Sequence, residues 1–153
     1  MSHIILGWRE WVALPELGLP AIKAKIDTGA KTSALHAFQI QPMKRGGKDW
    51  VRFSIHPLQY ELDLVRECEA SLLDFREVTD SGGHRENRYV IETNLQINES
   101  SYPIEITLTA RENMRFRMLL GRQGIQEHML VNASESFLTK RLNAKRLYAL
   151  TKK

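Results

Sequence analysis

The sequence predicts a mainly β fold, on three observations. Apolar and polar residues alternate with period two in several short runs, the runs stop at Pro, Gly or Asn, and helical spacing is convincing only towards the C-terminus. Taken in order, Ile4 to Leu14 is apolar-rich and ends at Pro15, and Ile22 to Ile26 alternates with Lys23 and Lys25. Trp50 to Ile55 alternates and stops before His56-Pro57, where proline has no N–H to give a ladder. From about Phe75 to Val90 two strands flank Asp80-Ser81-Gly82-Gly83, whose Ser-Gly-Gly is hairpin-turn chemistry. Arg88 to Thr93 and Tyr102 to Thr109 are rich in β-branched and aromatic residues, with a turn at Asn98-Glu99-Ser100 between them. A short helix is expected after Gly121, through Gln123 to His128. A longer basic one is expected around Ser134 to Leu150, where Phe137, Leu138, Leu142 and Leu147 recur.

At 153 residues the chain suits one domain spanning 1–153, with 134–153 as a basic helical tail. The formal charge is 22 − 18 = +4, much of it in Lys140, Arg141, Lys145, Arg146, Lys152 and Lys153. That tail lacks the interleaved aromatic residues of a single-strand platform, so nucleic acid is not an expected partner. A single cysteine, Cys68, excludes an intrachain disulfide framework and suits a reducing compartment. With neither a secretory signal nor a membrane-length apolar stretch, a soluble cytoplasmic protein is expected.

The chemistry concentrates in Asp27-Thr28-Gly29-Ala30, which follows the strand-like run from Ala21 to Ile26. Such a run would deliver a carboxylate to the mouth of a sheet. Hydrolysis by aspartate needs two carboxylates on one water, one ionised to take its proton and one protonated to donate to the substrate carbonyl. Gly29 lets two backbones approach closely, and the Thr28 hydroxyl is suited to tie the loop to its neighbour. The triplet alone is also a strand-ending turn. A second segment, Met118-Leu119-Leu120-Gly121-Arg122, raises it: an apolar run ends in Gly just before the short helix.

In that order the two segments resemble the retroviral-type aspartic peptidases. The longer stretches Ala24 to Ala37, and Ile104 to Arg111 through Met118 to Arg122, resemble the bacterial retropepsin-like aspartic endopeptidases, also catalogued as ATP-dependent zinc proteases. The resemblance spans about Trp11 to about Val131. It implies a closed, acid-protease-like barrel with Asp27, in the loop with Thr28 and Gly29, as the catalytic residue. The supporting segment Leu120-Gly121-Arg122 would thread behind the loop, and Arg122 is suited to fix it by an ion pair. The hairpin tip at Ser81, Gly82 and Gly83 would be the flap that closes over substrate. Asp80 has no apolar strand before it and is read as turn, not as a second catalytic carboxylate.

One catalytic carboxylate per chain makes a two-fold homodimer the expected assembly, with an extended peptide or protein substrate in a cleft on the axis. Neither cofactor nor metal is expected. There is no His-Glu-x-x-His, and His36, Cys68, His84 and His128 are scattered along the chain. Gly29-Ala30-Lys31-Thr32 lacks phosphate-loop spacing, so ATP dependence would have to come from a partner. The alternatives are a non-catalytic, peptidase-like binding or adaptor module and, further off, a zinc-dependent protease. The polar insertion between Ala37 and Phe75, with Lys44-Arg45-Gly46-Gly47-Lys48, is a departure that bears on dimer geometry or on a partner.

Overall fold

The computed structural model describes residues 3–79, 82–110 and 115–149. Eleven strands and one short helix are assigned among them: β1 (Ile4–Leu6), β2 (Arg9–Leu14), β3 (Leu19–Asp27), β4 (Ser33–His36), β5 (Phe38–Arg45), β6 (Lys48–Ile55), β7 (Arg66–Thr79), β8 (Arg85–Ile97), β9 (Ser100–Thr109), β10 (Met118–Gly121), β11 (Met129–Val131) and α1 (Ala144–Leu147). The mainly β expectation holds. None of the described helices is long and apolar enough to cross a membrane.

Nine strands form one sheet in the order β2-β3-β10-β4-β9-β8-β7-β6-β5, and a further pairing of Ala13 with Gln96 joins β2 to β8. Six of them, from β2 round to β8, thereby close a ring of hydrogen bonds. The long β8 changes partner along its length: Arg85 to Ile91 pairs with β7, and Val90 to Ile97 with β9. Inward residues such as Val12, Ile22, Leu35, Ile91, Ile106 and Met118 are fully buried, and several of their strand neighbours, among them Ala13, Ala21, Ala34 and Thr107, are buried too.

The insertion predicted between Ala37 and Phe75 is a three-stranded antiparallel arm of β5, β6 and the first half of β7. Its tip is a two-residue hairpin, Arg45 pairing with Lys48 across Gly46 and Gly47. Both glycines have positive φ, 57° and 79°, which the favoured tight turn requires at its two central positions.

Three expected boundaries differ. The run from Ile4 to Leu14 breaks between β1 and β2, because the Gly7 N–H donates to the Glu10 carboxylate and the Trp8 N–H to the Glu135 carbonyl. The helix expected over Gln123 to His128 is only a 3-10 turn, Arg122–Gly124, since the chain must extend again to set β11 parallel to β1. The helix expected around Ser134 to Leu150 is reduced to Ala144–Leu147, capped by the Asn143 side chain. Before it the chain runs as a strap along β2: the Phe137 N–H donates to the Arg9 carbonyl at 3.0 Å. The fully buried Glu10 carboxylate accepts from the Leu138 and Thr139 N–H groups and from the Thr139 hydroxyl. Specific tertiary hydrogen bonds here outweigh a marginal helical propensity.

Candidate active site

Asp27 is the last residue of β3, where the chain leaves the sheet. The turn after it is closed by the Ala30 N–H on the Asp27 carbonyl and by the Gly29 N–H on Asp27 Oδ1, both at 3.2 Å. Beneath this loop β10 inserts between β3 and β4, parallel to the first and antiparallel to the second, with Gly121 in register with Asp27. The Arg122 and Gln123 N–H groups donate to the Ala30 and Lys31 carbonyls at 2.7 and 3.0 Å. The Gly121 N–H donates to Ser33 Oγ at 3.0 Å. A Cβ on Gly121 would lie 2.6 Å from the Thr32 carbonyl carbon, so only glycine fits this crossing.

Asp27 opens onto a cleft of about 940 Å³. Its other wall is the β7–β8 hairpin, through Arg76 to Thr79, Gly82, His84 and Arg88. Arg88 is buried, held by the Glu86 carboxylate and donating to Thr107 Oγ1 at 3.2 Å. Thr109 Oγ1 donates to the same Glu86 carboxylate at 2.6 Å, tying the hairpin to β9, and Arg76 bonds Glu105. Lys25, Lys31, Arg76, Arg88 and Arg115 line the cleft, against the carboxylates of Asp27, Glu77 and Glu105. The cleft is therefore cationic on balance, and Trp8 and Phe116, packed edge to face, give it an apolar end.

Asp27, Thr28 and Gly29 thus sit in one loop clasped by Gly121 and Arg122, while Leu120, next to Gly121, is buried in the core. Arg122 acts differently from the expectation of an ion pair: its Nη1 donates to the Thr28 carbonyl at 2.8 Å. Thr28 contributes that carbonyl to the clasp. Gly82 lines the cleft, Gly83 holds the hairpin turn at φ 85°, and Asp80 and Ser81 lie outside the described residues. Among the described residues no three His, Cys, Asp or Glu side chains gather as a metal would need. The sequence reading missed the cationic lining. Its one visible signal was the alternation of Lys23 and Lys25 in β3, and Arg76, Arg88 and Arg115 come from separate elements.

Comparison with known proteins bears directly on this site. A family model described as RimB-like, retropepsin-like aspartic endopeptidase RimB, matches residues 5–142. A protein from Shewanella pealeana named a probable alpha-L-glutamate ligase is 46% identical over 136 residues, which cover 89% of this chain and 30% of the relative. One of the same name from Parasynechococcus marenigrum is 48% identical over 133 residues, or 87% of this chain and 28% of the relative. The chain thus spans under a third of the length of these relatives. A crystal structure of a Legionella pneumophila protein described as of unknown function superposes with a TM-score of 0.77 at 26% identity, covering 91% of this chain and 100% of that one.

Proposed function

Because this chain belongs to the RimB-like family of retropepsin-like aspartic endopeptidases, we propose that it hydrolyses peptide bonds in a homodimer with an acid-protease barrel, using water held between two Asp27 carboxylates. One observation carries the reading: Asp27 ends β3 in a loop clasped by Gly121 and Arg122, facing a cleft roofed by a long hairpin. Two adjacent carboxylates do not both ionise readily, so the pair shares a proton. The ionised one takes a proton from water as the water oxygen attacks the scissile carbonyl carbon, while the protonated one donates to the carbonyl oxygen. Collapse of the resulting diol, with proton transfer to nitrogen, expels the amine. The β7–β8 hairpin acts as the flap and excludes water. Ile5, Leu130 and Val131, exposed on the small β1–β11 sheet, offer apolar surface for the dimer.

The substrate we propose is an acidic, glutamyl-rich peptide in extended form. The support is the excess of Lys and Arg lining the cleft, together with relatives named as alpha-L-glutamate ligases. Work in a reducing cytoplasm suits Cys68, which is buried, with its thiol pushed up to about 12 mainly by that burial and next by the Glu67 charge. A second reading is a non-catalytic module serving a ligase. It is favoured by one fact, that the matched region is under a third of those relatives.

The test is cleavage of oligo-L-glutamate followed by chromatography of the products, with sedimentation run at the assay concentration. Asp27→Asn is expected to lower turnover by about a thousandfold or more, since the two carboxylates act as a unit. Asp80→Asn should leave turnover largely intact. Full activity in a strictly monomeric protein would sink the shared site, and binding without cleavage of any peptide would favour the module.

A further inference from the structure

Across β2 and β3 the sequence puts cations where cross-strand neighbours would ordinarily balance charge. Arg9 stands opposite Lys25, and Trp11 opposite Lys23. Because side chains two apart on a strand share a face, all four project to the same side of the sheet. Like charges directly opposite each other on a sheet are unfavourable. The strap adds to the concentration. Phe137 has a positive φ of 55°, a conformation that costs a non-glycine residue energy, and its ring lies 4.9 Å from the Arg9 guanidinium and 5.8 Å from both Lys23 Nζ and the Arg141 guanidinium. Three cations therefore crowd one aromatic ring.

The ring offsets only part of this crowding. No carboxylate among the described residues pairs with Arg9, Lys23, Lys25 or Arg141, although Lys44, Arg45, Arg52, Arg76 and Arg88 all have such partners. Besides its contacts with the Trp8 and Phe137 rings, the Arg9 guanidinium donates from Nε to Ser136 Oγ at 3.2 Å, and its terminal nitrogens have no hydrogen-bond partner among the described residues. Burial and the Arg9 charge together hold Lys23 below the usual lysine value. The cluster is also continuous with the cleft, because Lys25 lines the cleft and is in register with Arg9.

We infer that Arg9, Lys23 and Arg141, gathered around Phe137, form with Lys25, the cross-strand neighbour of Arg9, an anion-binding exosite that holds the part of an acidic peptide extending beyond the catalytic cleft. This rests on the peptidase reading for the direction in which the peptide runs. From Lys25 to Lys23 is two residues, about 7 Å along the strand, so two or three extended peptide residues past the cleft reach the cluster. Their carboxylates replace repulsion between cations with charge-assisted hydrogen bonds to guanidinium and ammonium groups. The site accordingly confers preference for long acidic chains over short ones. An acidic peptide suits it better than single-stranded nucleic acid, since the aromatic rings are only partly exposed and carry cations on their faces, which leaves little ring for base stacking.

The test uses the full chain with Asp27→Asn, and fluorescence anisotropy of labelled triglutamate, labelled dodecaglutamate and a twelve-nucleotide oligo-dT at low ionic strength. Adding Lys23→Gln with Arg141→Gln is expected to weaken dodecaglutamate binding about tenfold and to flatten its salt dependence, with triglutamate unaffected. Lys44→Gln with Lys48→Gln removes the same formal charge from the β5–β6 tip and should change affinity little. The exosite is overturned by equal losses in the two double variants, by no loss in the first, by no dodecaglutamate binding at all, or by oligo-dT binding at least as tight. Residual cleavage by Asp27→Asn would instead overturn the catalytic assignment and leave the exosite standing.

Discussion

The arm built from β5, β6 and β7 and the face built from β2, β3 and the strap carry similar cations and treat them in opposite ways. On the arm, Lys44 meets Asp49 at 2.5 Å, Arg45 meets Glu69 at 2.5 Å, and Arg52 lies between Glu69 and Glu67. Glu69 is held below the usual carboxylate range, first by its hydrogen bond from Arg45 and then by the charges around it. On the β2–β3 face the carboxylate of β2, Glu10, is turned inward and consumed by the strap, and that of β3, Asp27, stands at the strand's end in the cleft loop. On the arm Lys44, Arg45 and Arg52 are each met by a carboxylate, whereas among the described residues the cations of the face beside the cleft are not. What separates a solvated charged surface from a recognition surface here is therefore not the number of lysines and arginines but where the carboxylates are placed.

The largest expected effect comes from removing the carboxylate that builds the cationic face. Glu10→Ala leaves the N–H groups of Gly7, Leu138 and Thr139 and the Thr139 hydroxyl without their acceptor in a buried setting. A loss of about 3 kcal/mol or more is expected, because each stranded buried donor carries its own desolvation cost. Urea unfolding measures it. Dodecaglutamate binding should fall in the same variant under native conditions, since Phe137 and Arg141 lose their anchor. Asp49→Ala on the arm should leave the unfolding midpoint within the scatter of surface substitutions. Comparable losses at the two sites would erase the contrast.

The same contrast explains how far the sequence could be read. The strands were legible because alternation is a local signal, and Ile22 to Ile26, Trp50 to Ile55 and Tyr102 to Thr109 each fall within an observed strand. The hairpin was legible from Gly82-Gly83, and the clasping of the Asp27 loop from the order of Asp27-Thr28-Gly29 and Leu120-Gly121-Arg122. The strap was misread as helix because Phe137, Leu138, Leu142 and Leu147 have helical spacing, while the groups that pull it straight, the Arg9 carbonyl and the Glu10 carboxylate, lie well over a hundred residues earlier. The cationic cluster was invisible for the same reason. Arg9, Lys23 and Arg141 carry no mark of one another until Phe137 is laid between them.

A smaller effect should follow from making the arm resemble the face. Glu67→Gln with Glu69→Gln strips the carboxylates from Arg45 and Arg52. Dodecaglutamate affinity should rise by less than about threefold, because unpaired surface charges far from the cleft attract an anion only diffusely. Anisotropy titration at two salt concentrations reads this directly. A gain as large as the loss expected from Lys23→Gln with Arg141→Gln would mean that any uncovered cation suffices and that continuity with Lys25 is irrelevant.

The subtlest expected effect is in protons. Free Lys23 titrates below the usual lysine value, so at neutral pH the folded chain carries a charge it disfavours, and that cost is relieved as pH rises from the lowered value towards the usual one. The contribution of Lys23 to stability thus increases with pH across that alkaline window. A peptide carboxylate beside the ammonium reverses the perturbation: it favours the charged form and raises the pKa, so the complex binds more protons than the free protein does. Affinity for dodecaglutamate should accordingly fall as pH climbs through the window, and binding there should take up protons. Calorimetry in buffers of differing ionisation enthalpy measures the uptake, and the shift of the Lys23 side-chain resonance with pH, with and without peptide, assigns it. A Lys23 titration that the peptide leaves unmoved would show that the acidic chain does not cross this face.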